Sequence, residues 1–198
     1  MNAPGKAETM IMSRKILIAA AAAAAFVAPA VASAQSTSTI NLNAQVDQQC
    51  MLGAPASTAL DLGVLTGADG RLDASKTSAA VLVETEVDTA WCNTPSILKM
   101  EAQPLTTVIS AYSAPNGFSR QLTYDAVLTG WPTSATVRPL GAGGEAEAPA
   151  GVPHAETLVL QISRLNTLNA GGVAETTGLY VEAGDYSGQV ILTLTIAP

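Results

Sequence analysis

Apolar and polar residues alternate one for one along much of this chain, and that pattern leaves few folds open. Ile40, Leu42, Ala44 and Val46 alternate with Asn41, Asn43, Gln45 and Asp47. Val81, Val83, Thr85 and Val87 alternate with Leu82, Glu84, Glu86 and Asp88, and Val190, Leu192, Leu194 and Ile196 with Ile191, Thr193 and Thr195. Successive side chains of a β-strand point to opposite faces, so each stretch has one face to bury. After Gln35 no stretch has the spacing of an amphipathic helix. Further strands are expected around Ile97 to Ala102, Thr107 to Ala111, Gln121 to Leu128 and Leu158 to Leu165, separated by clusters of Gly, Pro, Asn and Ser. Gly184-Asp185-Tyr186-Ser187-Gly188 is turn chemistry before the last strand, which reads as an inner strand of its sheet. Short strands at this spacing predict an all-β sandwich.

The alternation fails in two places. Residues Ile16 to Val27 are almost all Ala, Ile, Leu, Phe and Val, follow Arg14 and Lys15, and lead to Ala32-Ser33-Ala34 before Gln35. A basic start, an apolar run of about a dozen residues and a small-residue cleavage site make a secretory signal, too short to span a bilayer. Residues 1–34 are therefore expected to be removed on export through the inner membrane, leaving residues 35–49 as an N-terminal strand and 50–198 as the sandwich. Between Trp131 and Pro153 the chain is rich in Gly, Ala, Pro and Glu, and 132–153 is expected to form a mobile, exposed loop.

Charge and cysteine content narrow the function. The 198 residues carry 9 Lys plus Arg against 16 Asp plus Glu, a net charge of -7. Loss of Lys6, Arg14, Lys15 and Glu8 with the signal takes this to -9. No basic stripe is available to neutralise phosphates, which argues against nucleic acid as a partner. One His and two Cys are too few for an all-protein zinc centre, and no metal or other cofactor is expected. In an exported chain an even cysteine count means a bridge, so Cys50 and Cys92 should pair. Closing a loop of about 43 residues contributes on the order of 4 kcal/mol in the chain-entropy model.

Catalysis finds little support. Glu84, Glu86 and Asp88 share one strand face, but the simple reading of that stripe is the wet side of an antiparallel sheet. His154 follows a Pro-containing loop with no evident partner, and no Gly-x-Ser-x-Gly elbow occurs. Asp69-Gly70-Arg71-Leu72-Asp73 has too few acids for a calcium loop and reads as a type I turn. The chain is not expected to be an enzyme. Trp91 precedes a bridging cysteine and should pack, whereas Trp131, between Gly130 and Pro132, is expected on the surface, where it could contact a ligand.

Taken in order, several motifs resemble the spore coat protein U domain family, which includes the subunits of archaic chaperone-usher pili. They are Ala44-x-Val46-x-x-x-Cys50, Leu60-x-Leu62-Gly63, Cys92 after a valine-rich strand, Arg120-x-Leu122-x-Tyr124, and Gly184-x-Tyr186 before a final alternating strand. The resemblance runs from about Ile40 to Ile196. It implies an immunoglobulin-like, pilin-like β-sandwich lacking one strand, the gap being filled first by a periplasmic chaperone and later by the N-terminal strand of the next subunit. The implied partners are related pilin subunits, the chaperone and an outer-membrane usher, in a surface fibre supporting attachment and biofilm formation. Mapped onto this sequence, the donor strand is Ser36 to Val46, presenting Ile40, Leu42, Ala44 and Val46, and Val190, Leu192, Leu194 and Ile196 border the acceptor groove. Three positions depart from the family pattern: Gly188 replaces a frequent acidic residue, the chain ends Ile196-Ala197-Pro198 without an aromatic, and 132–153 looks expanded. Alternation alone serves equally for a donated strand or for this molecule's own first strand. A second reading is a monomeric secreted adhesin or carbohydrate-binding module using Trp131 and the 132–153 loop.

Overall fold

The computed structural model describes residues 37–107, 115–175 and 178–198. The expected signal at 1–34, residues 35–36 of the donor segment and residues 108–111 of one expected strand lie outside the described residues. The chain divides between Ala44 and Gln45. Residues 37–44 carry no regular secondary structure and are exposed.

From Gln45 onward the fold is an all-β sandwich. In chain order its elements are β1 (Cys50–Leu52), α1 (Ala74–Thr77), β2 (Val81–Cys92), β3 (Ser96–Ala102), β4 (Leu105–Thr107), β5 (Phe118–Ser119), β6 (Gln121–Thr129), β7 (Ala135–Val137), β8 (Gly144–Ala150), β9 (His154–Leu168), β10 (Tyr180–Val181), β11 (Tyr186–Ser187) and β12 (Val190–Ile196). One sheet runs β1-β2-β9-β6-β4-β11, with β7 paired to the same β6 edge as a second short neighbour. The other sheet is β12-β3-β8, and β5 and β10 form a small parallel pair.

The alternation sorts side chains between faces as expected. In β6, Leu122, Tyr124, Ala126 and Leu128 are buried, and in β9, Leu158, Leu160 and Ile162. They meet Leu98, Met100 and Ala102 of β3 in one core. On β2, Thr85 and Val87 face inward while Glu84, Glu86 and Asp88 are exposed, the wet face read from the sequence. A bulge between Thr123 and Asp125 breaks the β6–β9 register, and there Arg164 takes φ 46 and brings its guanidinium 3.6 Å from Asp125. The Gly67–Gly70 turn is closed by Gly70 N–H donating to Gly67 O at 3.1 Å, and Asp73 caps α1.

Two expectations need correction. The 132–153 region is not a loop throughout: it holds β7 and β8. In β8, Ala148 and Ala150 are buried opposite Leu98 and Ser96 of β3, while Glu145, Glu147 and Pro149 face out. Its inward residues are too small to announce a hydrophobic face, and Pro149 is tolerated because the strand is an edge. The C-terminal strand, in turn, is not an inner strand. Among the described residues β12 pairs with β3 alone and forms the edge of its sheet.

Candidate functional site

The position of β12 at an edge decides which of its backbone groups are available. Gln103 N–H donates to Gln189 O at 2.8 Å and Ala197 N–H donates to Pro95 O at 2.9 Å. In an antiparallel pair, residues of one parity turn both backbone groups toward the partner. The odd residues 189 to 197 therefore face β3, and Val190, Leu192, Leu194 and Ile196 turn N–H and C=O to the open edge. The same four residues carry the apolar side chains: Val190, Leu192 and Leu194 pack half-buried against the core, and Ile196 is 40% exposed.

Beside this edge runs a cleft of about 1150 Å³. Its floor includes Val83, Thr85 and Val87 of β2, Leu160 and Ile162 of β9, and Tyr124. One wall is the irregular segment 57–66 with Leu60, Leu62 and Leu65; the other is 183–192. The first wall departs from β2 gradually. Gly53 N–H donates to Thr89 O, Ala56 N–H to Glu86 O, and Ser57 N–H to the Thr85 hydroxyl at 3.0 Å, which satisfies the polar group in the floor. Lys76 Nζ, from α1, donates to Leu62 O at 2.6 Å.

The motif residues Arg120, Tyr124, Gly184 and Tyr186 hold the second wall. Arg120 clamps the buried Glu182 through Nε to Oε2 at 2.6 Å and a second guanidinium nitrogen to Oε1 at 3.2 Å. Such bidentate pairing offsets the cost of burying the carboxylate. The Tyr186 hydroxyl donates to Glu182 O at 2.9 Å, and burial, with the Glu182 charge adding, pushes its pKa up to about 12. The Tyr124 hydroxyl donates to Gln103 O at 2.7 Å, next to the start of β12, and burial pushes it up to about 12 as well. At Gly188 a Cβ would lie 3.1 Å from Gln103 O, so an acidic side chain there requires the crossing to shift.

Cys50 and Cys92 are bridged, as expected, across directly opposed positions of β1 and β2. Just before β1, Asn93 grips the incoming chain: its Nδ2 donates to Asp47 O at 2.8 Å, its Oδ1 accepts from Gln49 N at 2.7 Å, and its own N–H donates to Gln49 O. Upstream of that grip, Ile40, Leu42 and Val46 are 81%, 91% and 83% exposed, and Ala44 is exposed too.

Trp131 is not on the surface. It is 5% exposed, with the half-buried His154 ring packed edge-on at 4.8 Å, and its indole N–H finds no acceptor among the described residues. Gly130, just before it, has φ 94. Trp91 is half-buried, lining a shallow groove with Met51, Leu194 and Ile196. Among the described residues no cluster of three His, Cys, Asp or Glu could hold a metal, and no helix is long and apolar enough to cross a membrane. No family model matches the chain, and no curated protein matches it.

Proposed function

We propose that this chain is an exported structural subunit whose cleft accepts the alternating N-terminal segment, Ile40 to Val46, of a second copy, joining subunits head to tail into a surface fibre. The observation that carries this reading is the open edge of β12 above an apolar cleft, in a chain that also exposes a four-residue apolar ladder. An extended segment adding to a sheet edge gains main-chain hydrogen bonds, and its alternate side chains fill the groove. The open edge spans seven residues, the length of Ile40 to Val46. Burying Ile40, Leu42 and Val46 contributes roughly 1.5 to 3 kcal/mol each before ordering costs, and Ala44 less.

Directly downstream of the ladder, Asp47 to Gln49 are held to the Asn93 turn. A head-to-tail contact of this kind does not close on itself and propagates a fibre. A periplasmic chaperone and an outer-membrane usher belong to the same proposal, as transient partners of the open cleft. The carbohydrate-binding alternative loses the surface aromatic on which it relied, since Trp131 is buried.

The test compares the full chain with an Ile40→Asp, Leu42→Asp variant, both exported in the presence of a chaperone, by sedimentation velocity. The unmodified chain should form a ladder of oligomers and the variant should stay monomeric. Two identical folded monomers would refute the proposal.

A further inference from the structure

Alternation forbids an inserted strand from slipping by one residue, because every side chain would change face. It does not forbid a slip of two. Ser38, Ile40, Leu42 and Ala44 could be presented in place of Ile40, Leu42, Ala44 and Val46 with the facing unchanged. A cleft that takes one register therefore needs a stop.

In the cleft lining Val181 N–H donates to Gly70 O at 2.9 Å, and the neighbouring Arg71 and Tyr180, themselves outside the lining, form a bridge. The Arg71 guanidinium lies 4.4 Å over the Tyr180 ring and donates to Gly178 O. The Tyr180 ring in turn packs on Phe118 at 5.3 Å. Asp69 Oδ1 accepts from Arg71 N–H at 3.1 Å and fixes the turn that presents the arginine. At Gly70, φ is 75 and a Cβ would lie 3.4 Å from the Tyr180 ring, so the turn sits directly on the aromatic. Gly70, Val181 and Glu182 all line the cleft. A separate shallow groove is lined by Met51, Trp91, Leu194 and Ile196.

We infer that the Arg71–Tyr180 clasp is the end-stop of the cleft and sets the register of the strand it receives; this rests on the strand-accepting reading above. A strand advanced by two residues meets the Gly70–Val181 bond beside the clasp, and a strand withdrawn by two leaves the deep part of the cleft unfilled. Arg71 and Tyr180 are thus positioning residues that limit the occupant to a ladder of four apolar side chains, such as residues 40 to 46 of another copy.

The test uses the full chain carrying Ile40→Asp and Leu42→Asp, so that its own segment cannot compete, and a synthetic peptide of residues 37–47 with a diazirine leucine at position 42. After irradiation, mass spectrometry maps the attachment site. With the clasp intact the label should fall on one group of adjacent cleft residues. Arg71→Ala, and independently Tyr180→Leu, should add a second group displaced by two residues, with less than a tenfold change in peptide affinity. An unchanged single-site map in either folded variant overturns the clasp. If the peptide does not label the intact cleft saturably, it is the strand-accepting reading itself that fails.

Discussion

Gly130 and Gly117 form a matched pair from which the cost of a backbone collision can be isolated. Both have positive φ, 94 and 86, so alanine at either carries the strain of that conformation, about 1 to 2 kcal/mol. Their surroundings differ completely. At Gly117 a Cβ would meet nothing within 4 Å among the described residues, whereas at Gly130 it would lie 2.1 Å from Thr157 O. Real Cβ contacts do not fall below 3.0 Å, so the β9 backbone must move by almost an ångström. Thr157 lies just past the last β6–β9 pair, Thr129 with Val159, and inside the β2–β9 irregularity between Val87 and Ala90, so the movement is taken where the ladders are interrupted but flanked by paired backbone. Overpacking of this kind costs about 1 to 3 kcal/mol, which places Gly130→Ala near 2 to 5 kcal/mol and Gly117→Ala near 1 to 2. Urea unfolding followed by far-ultraviolet circular dichroism measures both, with equal m-values confirming that only stability has changed. Losses equal to within about 0.5 kcal/mol would refute the steric reasoning.

Three further outcomes follow from the site. Tyr124 and Tyr186 ionise near 12 when folded against 10 when unfolded, so the folded state keeps protons that the unfolded chain releases. Their contribution is whole below pH 10 and is lost as pH rises toward 12; absorbance at 295 nm should show two late-titrating phenols, one removed by each Tyr→Phe change. Arg120→Met takes the counter-charge from buried Glu182 and should cost about 3 to 5 kcal/mol in urea, with Glu182→Gln in the same background recovering part of it. Replacing both Cys50 and Cys92 by Ala should lower stability by on the order of 4 kcal/mol, an effect that reduction of the unmodified protein should reproduce.

Large alternating side chains announce themselves in the sequence, and small ones do not. β2, β6, β9 and β12 carry Val, Leu and Ile on one face, and the period of two locates them. β8 has the same period, but its inward residues are Ala146, Ala148 and Ala150, whose small size complements Leu98 and Met100 across the sheet. An alanine ladder between glutamates is a weak hydrophobic signal, and Pro149 reads as a breaker when its edge position is unknown. Trp131 also misleads: a neighbouring Gly and Pro suggest an exposed turn, but the indole is buried against the His154 ring, a contact 23 positions away that no local pattern announces. The apolar ladder at 190–196 is legible, as is the disulfide, whereas residues 37–49, expected as an N-terminal strand, carry no regular structure. The clasp is not legible. Arg71 and Tyr180 are more than a hundred positions apart, and neither belongs to an alternating stretch.

The bridge between directly opposed residues of β1 and β2 also has a mechanical meaning. Residues 45–49, exposed and held by Asn93, precede Cys50, so a pull on the chain from its N-terminal side first strips the Asn93 contacts and then reaches the sulfurs. Tension passes there into a covalent bond and on to β2, which is paired along its length with β9. β1 is spared the residue-by-residue unzipping that a short terminal strand would otherwise suffer, and the chain before it can be tugged without opening the sheet behind it.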